Sequence, residues 1–245
     1  MTSNLEGLAH LPDGPDGDAG PKRGLVIAAH PDDADFGAAG TAHLWSKQGW
    51  EFYYLVCTNG SKGSDDPSMT PADLVRLRRD EQRRAAQYLG VKDVFFLDHV
   101  DGELTAGRDF LGDVVRHVRM VRPYAVFTHD PEAIIVRDSF VNHADHRITG
   151  MTAVDAVYPA ARDRLNFPEH LEQGLQPHKV REIYIWGSEK ANFEVDITDI
   201  IETKAQALLL HETQFEEEFV RMALNIWKTP EGRFVESFRR VQLWL

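Results

Sequence analysis

The apolar run Gly24-Leu25-Val26-Ile27-Ala28-Ala29, broken off by His30-Pro31-Asp32-Asp33, restricts the fold more than any other feature of this chain. It is too short for a buried helix and shows no alternation, which is the pattern of a parallel strand covered on both faces. Parallel strands need long crossovers, so helices must follow. The downstream pattern supplies them: a helix over residues 37–48, a strand over Glu51–Thr58, a helix over Pro71–Leu89 stopped by Gly90, and a strand over 94–97. A helix over 110–121 and a strand over Ala125–His129 continue the alternation. Then come a helix over 143–162, a connecting loop over 165–179, a strand over Glu182–Trp186 and a helix over 200–211. Beyond Phe215 a helical segment is mixed with a turn at Thr229-Pro230-Glu231-Gly232. The expected fold class is α/β, a Rossmann-like, doubly wound, mostly parallel sheet flanked by helices.

A chain of 245 residues is long enough for one such domain, placed at 24–245. Residues 1–23, dense in Pro, Gly and Asp, offer no apolar face and read as a mobile arm or surface strap. No apolar run approaches the roughly 20 residues that span a bilayer, and no leader is seen, so no membrane partner and a cytoplasmic location are expected. The net charge of -12, from 39 acidic and 27 basic residues, repels phosphate backbones, and a nucleic-acid partner is not expected. The aromatics Trp227, Phe234, Phe238 and Trp244 near the chain end point to association into a homo-oligomer, whereas Trp45, Trp50, Phe52, Tyr53 and Tyr54 read mainly as core.

The single cysteine, Cys57, lies in an apolar strand and permits neither an internal disulfide nor a thiolate metal cage. Any metal must sit on His and carboxylate. In open α/β sheets, ligands bind beyond the carboxyl ends of the strands, where His30, Asp32 and Asp33 fall. His129-Asp130 ends the fourth strand, and His143-Ala144-Asp145-His146 follows it. Helix capping alone would account for Asp32-Asp33 and for Asn142 with Asp145. It gives no reason for His30, His143 or His146. Two imidazoles and one carboxylate hold Zn²⁺ with a coordination position left for water, which is the catalytic pattern, and an adjacent carboxylate can serve as base. His129 or Asp130 would support a ligand or satisfy the turn. Gly37 and Gly40 do not make a phosphate loop, because carboxylates stand where bare N–H groups would be needed.

Ala29-His30-Pro31-Asp32-Asp33 together with His143-Ala144-Asp145-His146 resembles the LmbE-like or PIG-L-type zinc-dependent N-deacetylases. The similarity runs from Gly24 to about Gln214, through Thr58-Asn59-Gly60-Ser61, Arg78-x-x-Glu81, Asp101-Gly102 and His211-x-x-Gln214. The resemblance implies that His30, Asp33 and His146 bind the zinc and that Asp32 is the general base. It implies that His143 stabilises the oxyanion, that Asp145 orients His143 and favours its charged form, and that Arg78, Asp101 and Lys62 hold substrate. His211 would buttress the fold. The sequence departs from the family where an acidic residue often follows the first motif, since Asp35 stands here after Ala34. The implied reaction removes an acetyl group from an N-acetylated amino sugar or related small molecule. The residues alone allow other acyl groups. Alternatives are an amidase for a larger amide such as a thiol S-conjugate, and a non-catalytic metal-binding module, against which the presence of Asp32 counts. Specificity is expected in the loops 59–70, 132–142 and 165–179.

Overall fold

The computed structural model describes residues 20–136 and 138–243. Part of the expected arm, and Trp244, lie outside the described residues, while Arg23 already begins the sheet and Lys22 accepts the Glu51 N–H. Its strands are β1 (Arg23–Ala28), β2 (Glu51–Thr58), β3 (Asp93–His99), β4 (Ala125–His129), β7 (Glu182–Trp186), β8 (Phe193–Asp196) and β9 (Val235–Gln242). Their order is β3-β2-β1-β4-β7-β9-β8, parallel from β3 to β7, with β9 antiparallel to both β7 and β8. A separate hairpin pairs β5 (Ile135–Val136) with β6 (Phe140–Val141). The helices are α1 (Asp33–Lys47), α2 (Pro71–Leu89), α3 (Arg108–Val121), α4 (Ala144–Asp155), α5 (Pro168–Glu172), α6 (Ile201–Leu209) and α7 (Glu217–Ala223). The chain winds from β1 outward to β3 and returns to β4 on the other side of β1. The switch point therefore lies between β1 and β4, where a ligand crevice is expected.

Period-two alternation divides the strands between two cores. Leu25, Ile27, Leu55, Val126 and Ile183 pack with α3 and α4, whereas Val26, Ala28, Phe52, Tyr54 and Phe127 pack with α1, α2 and α6. The run in β1 is continuously apolar because both faces are covered. Helix α2 is bounded as its sequence requires: Thr70 accepts the Asp73 N–H, Pro71 opens the first turn, and Gly90 takes a left-handed φ of 85°. Helix α1 begins four residues earlier than expected, directly on the Asp32 turn. Helix α4 ends at Asp155 and passes into a wider turn over Ala156–Ala160 that contains Pro159. Among the described residues no helix is long and apolar enough to cross a membrane.

The main departure is at the chain end. β8 and β9 join the sheet, although Val235-Glu-Ser-Phe-Arg-Arg carries charges that obscure its strand pattern. Partners inside the protein absorb them: Arg240 pairs with Glu182 at 2.5 Å, and Glu236 pairs with the fully buried Lys204 at 2.5 Å. Phe238 and Trp227 are buried and Phe234 packs against two cores, so these aromatics complete the subunit and do not supply the association surface expected of them. The loop over 165–179 contains α5 and is stapled by Arg119, which donates to the carbonyls of Ala160, Ala161, Asp163, Asn166 and Phe167. It ends with His178 donating to the Pro123 carbonyl at 2.7 Å, just ahead of β4 and away from the carboxyl ends of the strands.

Lys204 also donates to the carbonyls of Asp35 and Phe36, and Glu236 accepts from the N–H groups of Gly40 and Thr41. Removing one partner strands a buried charge. Lys204→Met is expected to lower unfolding stability by about 3–5 kcal/mol in urea denaturation, with partial recovery in Lys204→Met/Glu236→Gln; an unchanged midpoint would contradict this.

Candidate active site

The site is built where β1 and β4 lie side by side. β1 delivers His30 and Asp33, β4 delivers His129, and α4, whose start follows β6, delivers His146. The approach of α4 to β4 depends on Gly150: a Cβ there would lie 2.3 Å from the His129 carbonyl oxygen. Only glycine permits that contact without moving the helix.

Three side chains converge. His30 Nδ1 lies 3.1 Å from Asp33 Oδ2, His146 Nε2 lies 3.2 Å from Asp33 Oδ1, and the two imidazole nitrogens are 3.3 Å apart. Ligands at ~2.0–2.1 Å on a tetrahedral ion stand roughly 3.3 Å from one another; the two nitrogens have that spacing and each faces a different Asp33 oxygen, so the set could hold a metal. The outer nitrogens are fixed as a metal site requires. His146 Nδ1 faces Asn142 Oδ1 at 2.9 Å, and His30 Nε2 faces Asp101 Oδ1 at 3.1 Å and Asp145 Oδ2 at 3.2 Å. These oxygens suit the outer N–H of each ring, so that a bound metal would meet the inner nitrogen. The second carboxylate-rich group, His30 with Asp101, His143 and Asp145, uses this outer face of His30. His129 stacks on His146 with centroids 4.3 Å apart and accepts the Ala29 N–H, so it supports the ligands from behind.

The electrostatics follow the geometry. Burial opposes a charged His30, but its bonds to Asp101, Asp145 and Asp33 prevail and hold its pKa well above the ordinary value. Burial pushes Asp33 up, yet His146 and His129 bring it well below the carboxylate range. Asp32 goes the other way: burial raises it to about 6, against the pull of the Arg78 guanidinium and with the help of Asp33. Two adjacent carboxyls thus separate in function, one strongly anionic among imidazoles and one poised near neutrality.

Asp32 stands at the N-cap of α1 without capping it. Its φ is 104°, and its side chain makes no cap hydrogen bond. Instead Arg78 donates to Asp32 Oδ2 at 3.0 Å and to the Pro31 carbonyl at 2.8 Å. His143, for which capping gave no reason, is the N-cap of α4: its Nδ1 accepts the Asp145 N–H at 3.1 Å. That bond orients His143. The Asp145 carboxylate lies 3.9 Å from His143 Nδ1 and closer to His30, and burial with the nearby His30 lowers the His143 pKa against the pull of Asp145.

The three residues expected to hold substrate differ in placement. Arg78 is buried and also donates to Gly60 O, while Asp101 accepts from Lys62 N and faces His30, with its pKa at about 2 because His30 outweighs burial. Both reinforce the site from within. Lys62 is exposed, and its ammonium pairs with Glu103 Oε1 at 2.8 Å. Gln82 escaped the sequence reading, although its i, i+4 spacing from Arg78 puts both on one face of α2. His211 buttresses the fold by bonding Asp35 at 2.8 Å.

A His/Asp cluster that could hold a metal lies at the switch point of the parallel sheet with a second carboxylate beside it, an arrangement suited to a hydrolase. The pattern of the PIG-L family, described as GlcNAc-PI de-N-acetylase, matches residues 25–157, and the chain belongs to that family. It is 33% identical over 228 residues to a diacetylchitobiose deacetylase of Thermococcus kodakarensis, covering 90% of this chain and 83% of the relative. A solved N,N'-diacetylchitobiose deacetylase from Pyrococcus horikoshii superposes with a TM-score of 0.84 at 32% identity, covering 97% of this chain and 90% of that one. A probable N-acetyl-alpha-D-glucosaminyl L-malate deacetylase 2 of Bacillus cereus is 26% identical over 197 residues, 78% of this chain and 83% of the relative.

Asn142→Ala removes the acceptor that fixes His146. It is expected to weaken metal binding about 10–100-fold in chelator competition, and unchanged affinity would contradict the role of that bond.

Proposed function

We propose that this protein is a zinc-dependent deacetylase that hydrolyses the acetamide of an N-acetylated amino sugar. The observation that carries the reading is the 3.1–3.3 Å convergence of His30 Nδ1, Asp33 and His146 Nε2 next to Asp32. Family membership and relatives that act on N-acetylated sugars support the substrate class. Zinc suits a donor set of two imidazoles and one carboxylate, and when bound it polarises the amide carbonyl and lowers the pKa of water to about 7.

The chain's own residues account for the proton transfers. Arg78 holds Oδ2 of Asp32, and the other oxygen takes a proton from the attacking water. The Asp32 pKa of about 6 suits a base that must later give that proton to the departing nitrogen. His143 accepts a backbone N–H at Nδ1, so its neutral ring carries the proton on Nε2 and presents a donor to the oxyanion. Its lowered pKa keeps it in that neutral form. Asp101 and Asp145 keep Nε2 of His30 protonated and turned outward. Lys62 and Glu103, an exposed pair, would meet sugar hydroxyls.

The test is acetate release from N,N'-diacetylchitobiose, N-acetylglucosamine and a thiol S-conjugate amide, with zinc-loaded wild type and Asp32→Asn. Acetate is expected from the sugars, with turnover about 10²–10⁴-fold lower in the variant at full zinc content. Hydrolysis confined to the S-conjugate, or undiminished turnover in Asp32→Asn, would contradict the assignment.

A further inference from the structure

Asp32 holds φ 104° and ψ -35°, a conformation that L residues rarely adopt, yet the ligand from this turn is Asp33. Metal binding therefore gives no direct reason for the strain at Asp32, and such strain, about 1–3 kcal/mol, persists only where surrounding contacts enforce it. One contact grips the strained residue by its backbone. The Asp32 N–H donates to Gln82 Oε1 at 2.8 Å. Gln82 is fully buried, and its Nε2 donates to Asp35 Oδ2 at 2.8 Å; the same oxygen faces His211 Nε2 at 2.8 Å. The polarity of this line is fixed: His211 and the Gln82 amino group both donate to the carboxylate, and the Gln82 carbonyl end is left to accept from Asp32. A side chain with an acceptor at one end and a donor at the other is required at position 82.

The far end is anchored as well. Thr213 donates through N and Oγ1 to Glu81 at 2.9 and 2.7 Å, and Gln214 donates to the Gly63 carbonyl at 3.0 Å. The segment from His211 to Gln214 thus grips α2 beside Gln82 and the loop after β2. These motif residues lie far from the catalytic turn in sequence and are not used by the reaction itself.

We propose that Gln82, backed by Asp35 and His211, is a positioning residue for Asp32. By holding the Asp32 N–H it keeps the turn in the left-handed conformation that takes the carboxylate off the end of α1, where an Asp at this position would otherwise cap, and turns it to Arg78 and the attacking water. The proposal rests on the reading of Asp32 as the base.

It is tested with zinc-loaded Gln82→Met and His211→Asn, each alone and combined with Asp32→Asn, by kcat, KM on N,N'-diacetylchitobiose and zinc content. Gln82→Met is expected to lower kcat roughly 10–100-fold with KM and zinc content unchanged, and His211→Asn to lower it less. Neither should reduce the residual turnover of Asp32→Asn, because both act only through that carboxylate. Equal losses in both backgrounds, a change confined to KM, or loss of zinc or of folding in both variants would overturn the proposal. Wild-type turnover in Asp32→Asn would instead remove the base assignment on which it rests.

Discussion

Two imidazole nitrogens and a carboxylate face one another at 3.1–3.3 Å, and the rest of the site is arranged around that convergence. The protein holds these three groups together by contacts from outside the cluster. It does so in two ways. β1 and β4 are neighbours at the switch point, which fixes His30, Asp33 and His129, and Gly150 allows α4 to close onto the end of β4 with His146. Outer hydrogen bonds to Asn142, Asp101 and Asp145 then select the ring nitrogen that points inward.

Behind the ligands lies a buried polar layer that ties the catalytic turn to the last third of the chain. Lys204 and Glu236 bind the carbonyls and N–H groups of the first turns of α1, and His211 reaches Asp35. A buried ion pair of this kind is costly and adds little stability over an apolar replacement. Here it satisfies α1 backbone groups next to the site, while Arg78 and Gln82 from α2 hold Asp32. The late β9 strand is thus part of the catalytic support as well as of the sheet.

Much of this was legible in the sequence where one residue type had one physical meaning. The apolar run of β1, the capped helix α2, the strands β2, β4 and β7, and the paired His/Asp motifs needed no tertiary information. What could not be read depended on partners distant in sequence. Glu236 and Arg240 look unsuited to a strand until Lys204 and Glu182 are set against them. Phe238 and Trp227 look like an interface until the aromatic core around Phe127 and helix α6 bury them. The bonds of Arg78 to Asp32 and of Asp101 to His30 likewise join residues distant in sequence. Capping gave a reason for Asp32 and none for His143, and the structure has the opposite: the imidazole caps α4, and the carboxylate, held in a strained turn, does not cap α1.

His30, Asp33 and His146 are the residues that would hold the metal. Anomalous diffraction at the zinc edge from crystals of the zinc-loaded protein tests this most directly. The account predicts one strong peak at ~2.0–2.1 Å from His30 Nδ1, His146 Nε2 and an Asp33 oxygen, with Asp32 outside the coordination sphere. A peak bound through His30 Nε2 and His143, or a fully loaded protein with no density at this triad, would contradict it.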